Sequence, residues 1–137
     1  MILSPADMIT AGAVLLAVIA IAYDNTFLLR VHAGKLQTND LQKAFFRAGH
    51  AHAGVLVILG LVIKILTSTD GVPALAQQLS DGVLFAAILM PAGFFLSVIG
   101  RNPKKPNRLF TLLWIGAASL TVGLLSAGVG LIMAGTR

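Results

Sequence analysis

Four stretches of about 20 predominantly apolar residues, separated by short polar connections, constrain this chain more than any other feature. A helix rising 1.5 Å per residue needs about 20 such residues to cross a hydrocarbon core of about 30 Å. The run Met8–Ala22 is almost unbroken, Val55–Ile63 forms a second apolar body, and further runs follow Asp81 and Leu109. The chain is therefore expected to be all-α, an integral membrane four-helix bundle with helices at about 8–30, 40–66, 81–99 and 109–133. All 137 residues form a single four-helix transmembrane domain in this reading.

Charge agrees with that expectation. Only 11% of residues are charged, against about 25% in soluble domains, too few to cover a water-facing surface. Glutamate is absent, and the acids are Asp7, Asp24, Asp40, Asp70 and Asp81. The net charge of +5 sits in short clusters beside apolar runs, the pattern of orienting loops rather than of a nucleic-acid-binding face. Without cysteine there are no disulfides, thiolate metal sites, iron–sulfur clusters or cysteine nucleophiles.

Punctuation along the chain marks the helix ends. Ala20-Ile21-Ala22 resembles a signal-peptidase site, but no Lys or Arg precedes the first run, so a retained helix is expected. Asn39 with Gln42 three residues later fits a capping box, which starts the second helix near Asp40. Thr67–Pro73 is turn-rich, and Ala74–Leu79 is expected to add one interfacial turn. Pro91 falls inside the third helix, where it is expected to kink the backbone and free the carbonyl of Ala87. Gly100–Arg108 is a basic connector, and Trp114 lies at belt depth in the fourth helix.

Arg30, Lys35, Lys43 and Arg47 flank the first connection, and Arg101, Lys104, Lys105 and Arg108 lie in the third. The second has only Lys64 nearby, and the termini carry Asp7 and Arg137. The positive-inside rule then puts connections one and three in the cytoplasm and both termini outside, with a bacterial inner membrane as the expected location. Helix four carries small residues in two rows, Ser119-Gly123-Ala127 and Ser126-Gly130-Ala134. Such rows let helices approach closely, either within a protomer or along a seam between copies. The expected partners are the bilayer, a second copy or a membrane subunit, and a small apolar ligand.

The polar groups inside these runs gather toward one face. Tyr23 and Asp24 end the first helix, with Asp24 about 9 Å inward of Arg30 at 1.5 Å per residue. Ionisable groups at that depth are costly and turn to a partner or a cavity. Asp24 pairing with Arg47 or a histidine to fix helices one and two is one reading. The run Phe45-Phe-Arg-Ala-Gly-His-Ala-His-Ala-Gly54 places His50 and His52 about 200° apart on a helix. They cannot chelate one ion as an i, i+4 pair does. Ala51, Ala53 and Gly54 leave flat space beside the rings, which suits a planar cofactor, and haem is commonly held by histidine. Two interfacial histidines with freedom to snorkel is the alternative. Met90 is a conceivable second axial ligand, though core filling is the commoner role of methionine.

The segment Ala51-His52-Ala53-Gly54 is similar to the Ala-His-small-Gly core of the four-helix membrane family of styrene oxide isomerase, with the arginine displaced to Arg47 and His50 in its place. The resemblance implies haem b bound between protomers, with His52, then His50, as iron ligand and Arg47 nearby in the cofactor site. It also implies a ferric haem acting as Lewis acid in isomerising an epoxide to an aldehyde, for which Asp24 and Tyr23 are the candidate catalytic groups. Asp81-Gly82 is similar to an Asp-Gly pair of the family, but lies at the opposite face from His52. Ile58 stands six residues after His52, where the family has asparagine, and no tyrosine lies beyond Tyr23. An ion, proton or small-solute transport component using Asp24, His50 and Pro91, and a non-catalytic accessory subunit, are the competing expectations.

Overall fold

The structure is a computed structural model and describes residues 3–136; Arg137 of the charge pattern lies outside the described residues. Helix α1 covers Pro5–His32 and α2 covers Asp40–Thr67. Helices α3 (Ala74–Ser80) and α4 (Gly82–Ser97) follow, and a 3-10 turn over Arg108–Phe110 leads into α5 (Thr111–Gly135). Four segments are long and apolar enough to cross a membrane: Pro5–His32, Asp40–Thr67, Ala74–Ser97 and Arg108–Gly135. The protein is an all-α four-helix bundle of membrane-spanning length.

The helix starts follow from local chemistry. Asn39 accepts from the Gln42 amide while Gln42 reaches back to the Asn39 amide, completing the expected capping box. Helix α1 has an equivalent box: the Ser4 hydroxyl oxygen accepts from the Asp7 amide, and the Asp7 carboxylate accepts from the Ser4 amide. Asp81 keeps helical dihedrals (φ −61°, ψ −14°) between α3 and α4. The expected interfacial turn is therefore the first part of the third crossing. Its start moves from the expected 81 to Ala74, and α4 runs through Pro91 to Ser97.

Helix α4 is the centre of the packing, with α2 on one side and α5 on the other, while α1 leans closely only on α2. Glycine backbones set the α4–α5 distance. A Cβ on Gly82 would stand 2.6 Å from the Ser119 carbonyl oxygen, and one on Gly123 would stand 2.7 Å from the Val83 amide nitrogen. The Ser119 hydroxyl donates to the Gly82 carbonyl at 2.8 Å. The first small-residue row of α5 is thus used inside the protomer. In the second row, a Cβ on Gly130 would meet Ala76 of α3 at 2.7 Å, and Ala134 faces Gly71.

Connections one and three meet at one end of the bundle. Gln42 donates through Nε2 to the carbonyls of Val98 and Gly100, and Asn39 donates through Nδ2 to the carbonyl of Pro103. An aromatic layer lies just inside: Phe46 stacks on Phe95 at 5.5 Å and meets Phe27 edge-on at 5.3 Å. Outward faces carry many large apolar side chains, and Val31 is the one buried residue of α1. Leu16, Ile19, Ile58 and Ile132 are all more than half exposed, surfaces that water would penalise and hydrocarbon accommodates.

Candidate functional site

Helix α2 turns its two histidines away from each other, and each is fixed through the same ring atom. His50 lies toward α1, with Nδ1 3.0 Å from Oδ2 of Asp24. His52 lies on the other flank, with Nδ1 2.7 Å from the carbonyl oxygen of Ala48 and its ring 5.0 Å from that of Phe94 of α4. A carbonyl oxygen only accepts, so Nδ1 of His52 carries the hydrogen. In the neutral ring Nε2 then keeps its lone pair, the state a metal ligand requires. The Asp24 carboxylate imposes the same choice on His50. Of the two partners open to Asp24 from sequence, the structure selects a histidine; Arg47 is exposed.

The surroundings differ. Both members of the Asp24–His50 pair have side chains 27% exposed, half-sheltered where α1 crosses α2. His52 is half-buried, as is Ala48 one turn before it, while the neighbouring Ala51 is exposed. Gly54 has open space where a Cβ would project. Tyr23, expected beside Asp24 as a catalytic group, is 71% exposed on α1. Met90, the conceivable axial ligand, presses its Cγ toward Gly116 of α5 and serves the core. Among the described residues no group of three or more His, Cys, Asp or Glu side chains could hold a bare metal ion.

Between α1 and α4, across the surface of α2, runs an apolar groove of about 820 Å3. Ala13, Ala17 and Ala20 of α1 face Ala87, Ile88 and Pro91 of α4, with Ala53 and Val57 of α2 at its floor. Asp24 closes the histidine end and Asp81 the other.

At that far end lies an ionic trio unforeseen in sequence. Lys64 Nζ stands 2.8 Å from Oδ1 of Asp7 and 2.8 and 3.0 Å from the two oxygens of Asp81. Lys64 is only 11% exposed. The trio ties the start of α1 to the end of α2 and the start of α4, and it fixes Asp81 at the opposite end from His52. The one sequence signal was a lysine embedded in an otherwise apolar run. No family model, curated protein or solved structure matches the chain.

Proposed function

We propose that this chain is a haem-binding membrane protein in which His52 supplies the iron ligand. The observation that carries the reading is the His52 Nδ1 bond to the Ala48 carbonyl, which directs the hydrogen to Nδ1 and leaves Nε2 as donor atom. The residues fit a flat group. Haem asks one ligand of the protein where a bare ion asks three or four, and Ala48 and Ala51, both within one turn of His52, leave α2 low there. A second copy lying on that flank would close the site, so a homo-oligomer belongs to the proposal. Arg47 is exposed about 7.5 Å nearer the basic end and about 140° round α2 from His52 at 100° per residue, so a role toward cofactor carboxylates would need its long side chain to reach round the helix. When bound, ferric haem supplies Lewis-acid activation of an oxygen atom, the chemistry of epoxide isomerisation to an aldehyde. Connections one and three, with eight cationic residues in and around them, are assigned to the cytoplasm.

Hemin titration of the purified protein in detergent tests the assignment. Saturable binding that is lost in His52→Ala and kept in His50→Ala is expected. Protein that takes up no hemin, or binding that depends only on His50, contradicts it.

A second reading, passage of a proton or solute along α1, draws support from Asp24, Pro91 and Asp81 lining one groove. Proteoliposome flux that is unaltered by Asp24→Asn would end it.

A further inference from the structure

The groove between α1 and α4 has a shape and a chemical ending that together specify an occupant. We infer that it binds a long-chain lipophile carrying a hydroxyl head, a long-chain alcohol or hydroquinone, with the hydroxyl at Asp24 and the tail along α1. Three observations carry this.

The first is length. From Thr10 to Asp24 the groove follows 14 helical steps of α1, about 21 Å at 1.5 Å per residue, or about two-thirds of a ~30 Å hydrocarbon core. A compact solute leaves most of it empty. An extended chain fills it, and the small side chains Ala13, Ala17 and Ala20 keep it open to lateral entry from the bilayer.

The second is depth. Asp24 lies six residues, about 9 Å, inward of Arg30. A phospholipid with its phosphate at the level of Arg30 presents hydrocarbon and ester groups, rather than its head, to Asp24. The polar end of the groove suits a head small and neutral enough to sit below the phosphate layer.

The third is hydrogen-bond arithmetic. Nδ1–H of His50 already donates to Oδ2 of Asp24. Among the described residues nothing else bonds the Asp24 carboxylate, so Oδ1 of Asp24, a residue that lines the groove, stands as an acceptor. A ligand there must bring a donor. A carboxylate or phosphate head would set negative charge against Asp24 in a medium of low dielectric, and a ketone or ester has no hydrogen to give. An O–H donates to that acceptor.

This inference does not rest on the haem proposal, because His52 and the groove occupy different flanks of α2. The two fail separately: loss of hemin binding leaves groove labelling intact, and the reverse.

The experiment uses the full chain in phosphatidylcholine nanodiscs with a photoreactive hexadecanol bearing a diazirine in its tail, the matching fatty acid serving as control. Saturable labelling of peptides containing Ala13–Ala20 and Leu84–Ile88 is expected for the alcohol and not for the acid. Asp24→Asn should weaken the apparent affinity about tenfold, the effect of losing a hydrogen bond to a charged acceptor. Ala17→Phe, which fills the groove from an exposed position, should abolish labelling, and unaltered hemin binding or circular dichroism shows that the variant folds.

Equal labelling by alcohol and acid would mean that the head is not recognised and would overturn the inference. So would non-saturable labelling spread over all outward faces, which marks bulk lipid. Disulfide-linked dimers of Ala17→Cys in native membranes would place a second copy in the groove and equally overturn it.

Discussion

Replacing Lys64 by methionine leaves Asp7 and Asp81 beside each other at the end of the bundle without the cation that joins them. The ammonium is 2.8 Å from an oxygen of each. Two unit charges 4 Å apart interact by about 4 kcal/mol at an effective dielectric of 20. Much of that is offset by desolvation of the ions, and removing one partner of a buried pair costs about 3–5 kcal/mol in practice. Asp81 is 32% exposed and regains water, while Asp7 keeps the Ser4 hydroxyl and the favourable N-terminus of α1. The low end, about 3 kcal/mol, is therefore expected for Lys64→Met. Asp7→Asn leaves Lys64 its bidentate Asp81 and should cost about 1 kcal/mol. Because methionine at 64 strands a carboxylate that asparagine at 7 removes, the double variant should be more stable than the sum of the singles implies. Reversible unfolding in mixed detergent, followed by circular dichroism, gives these energies. Hydrogen exchange should show the first turns of α1 opening while α4 and α5 stay protected, since α1 packs closely only on α2. A cost for Lys64→Met below about 1 kcal/mol, the range of solvated surface pairs, together with unchanged exchange in α1, would refute the reasoning.

Gly123→Ala places a Cβ 2.7 Å from the Val83 backbone nitrogen and should cost about 1–3 kcal/mol by overpacking. Gly128→Ala, which meets nothing within 4 Å, should stay within about 0.5 kcal/mol; the same unfolding assay separates them, and equal costs would contradict the close α4–α5 approach. The chain has no cysteine, so single cysteines report sidedness cleanly. Lys105→Cys should react with an impermeant maleimide only in inside-out vesicles and Thr69→Cys only in right-side-out ones; the opposite pattern reverses the proposed orientation.

Sequence carried the parts of this fold that depend on neighbours three or four residues away. The Asn39–Gln42 box fixed the start of α2 at Asp40 because both partners lie within one turn. The Ser4–Asp7 box obeys the same rule and was there to be found in Ser-Pro-Ala-Asp. Helix three began earlier than expected because Asp81 stays helical, a choice made by the packing of α3 on α5 rather than by its own residue type. The ionic trio joins positions 57 and 17 residues apart, and nothing local marks Asp7 or Asp81 as the partners of Lys64. The divergence of His50 and His52 followed from helical geometry alone. The choice of His50 over Arg47 for Asp24 depended on how α1 crosses α2, which no spacing along one helix encodes.

The most direct test of the haem assignment is the absorbance spectrum of detergent-purified protein from haem-supplemented cells, compared with His52→Ala measured without and with added imidazole. A Soret band in the unaltered protein, lost in His52→Ala and restored by imidazole occupying the space of the missing ring, is the expected result. A colourless unaltered protein, or a His52→Ala spectrum that keeps the band, would contradict it.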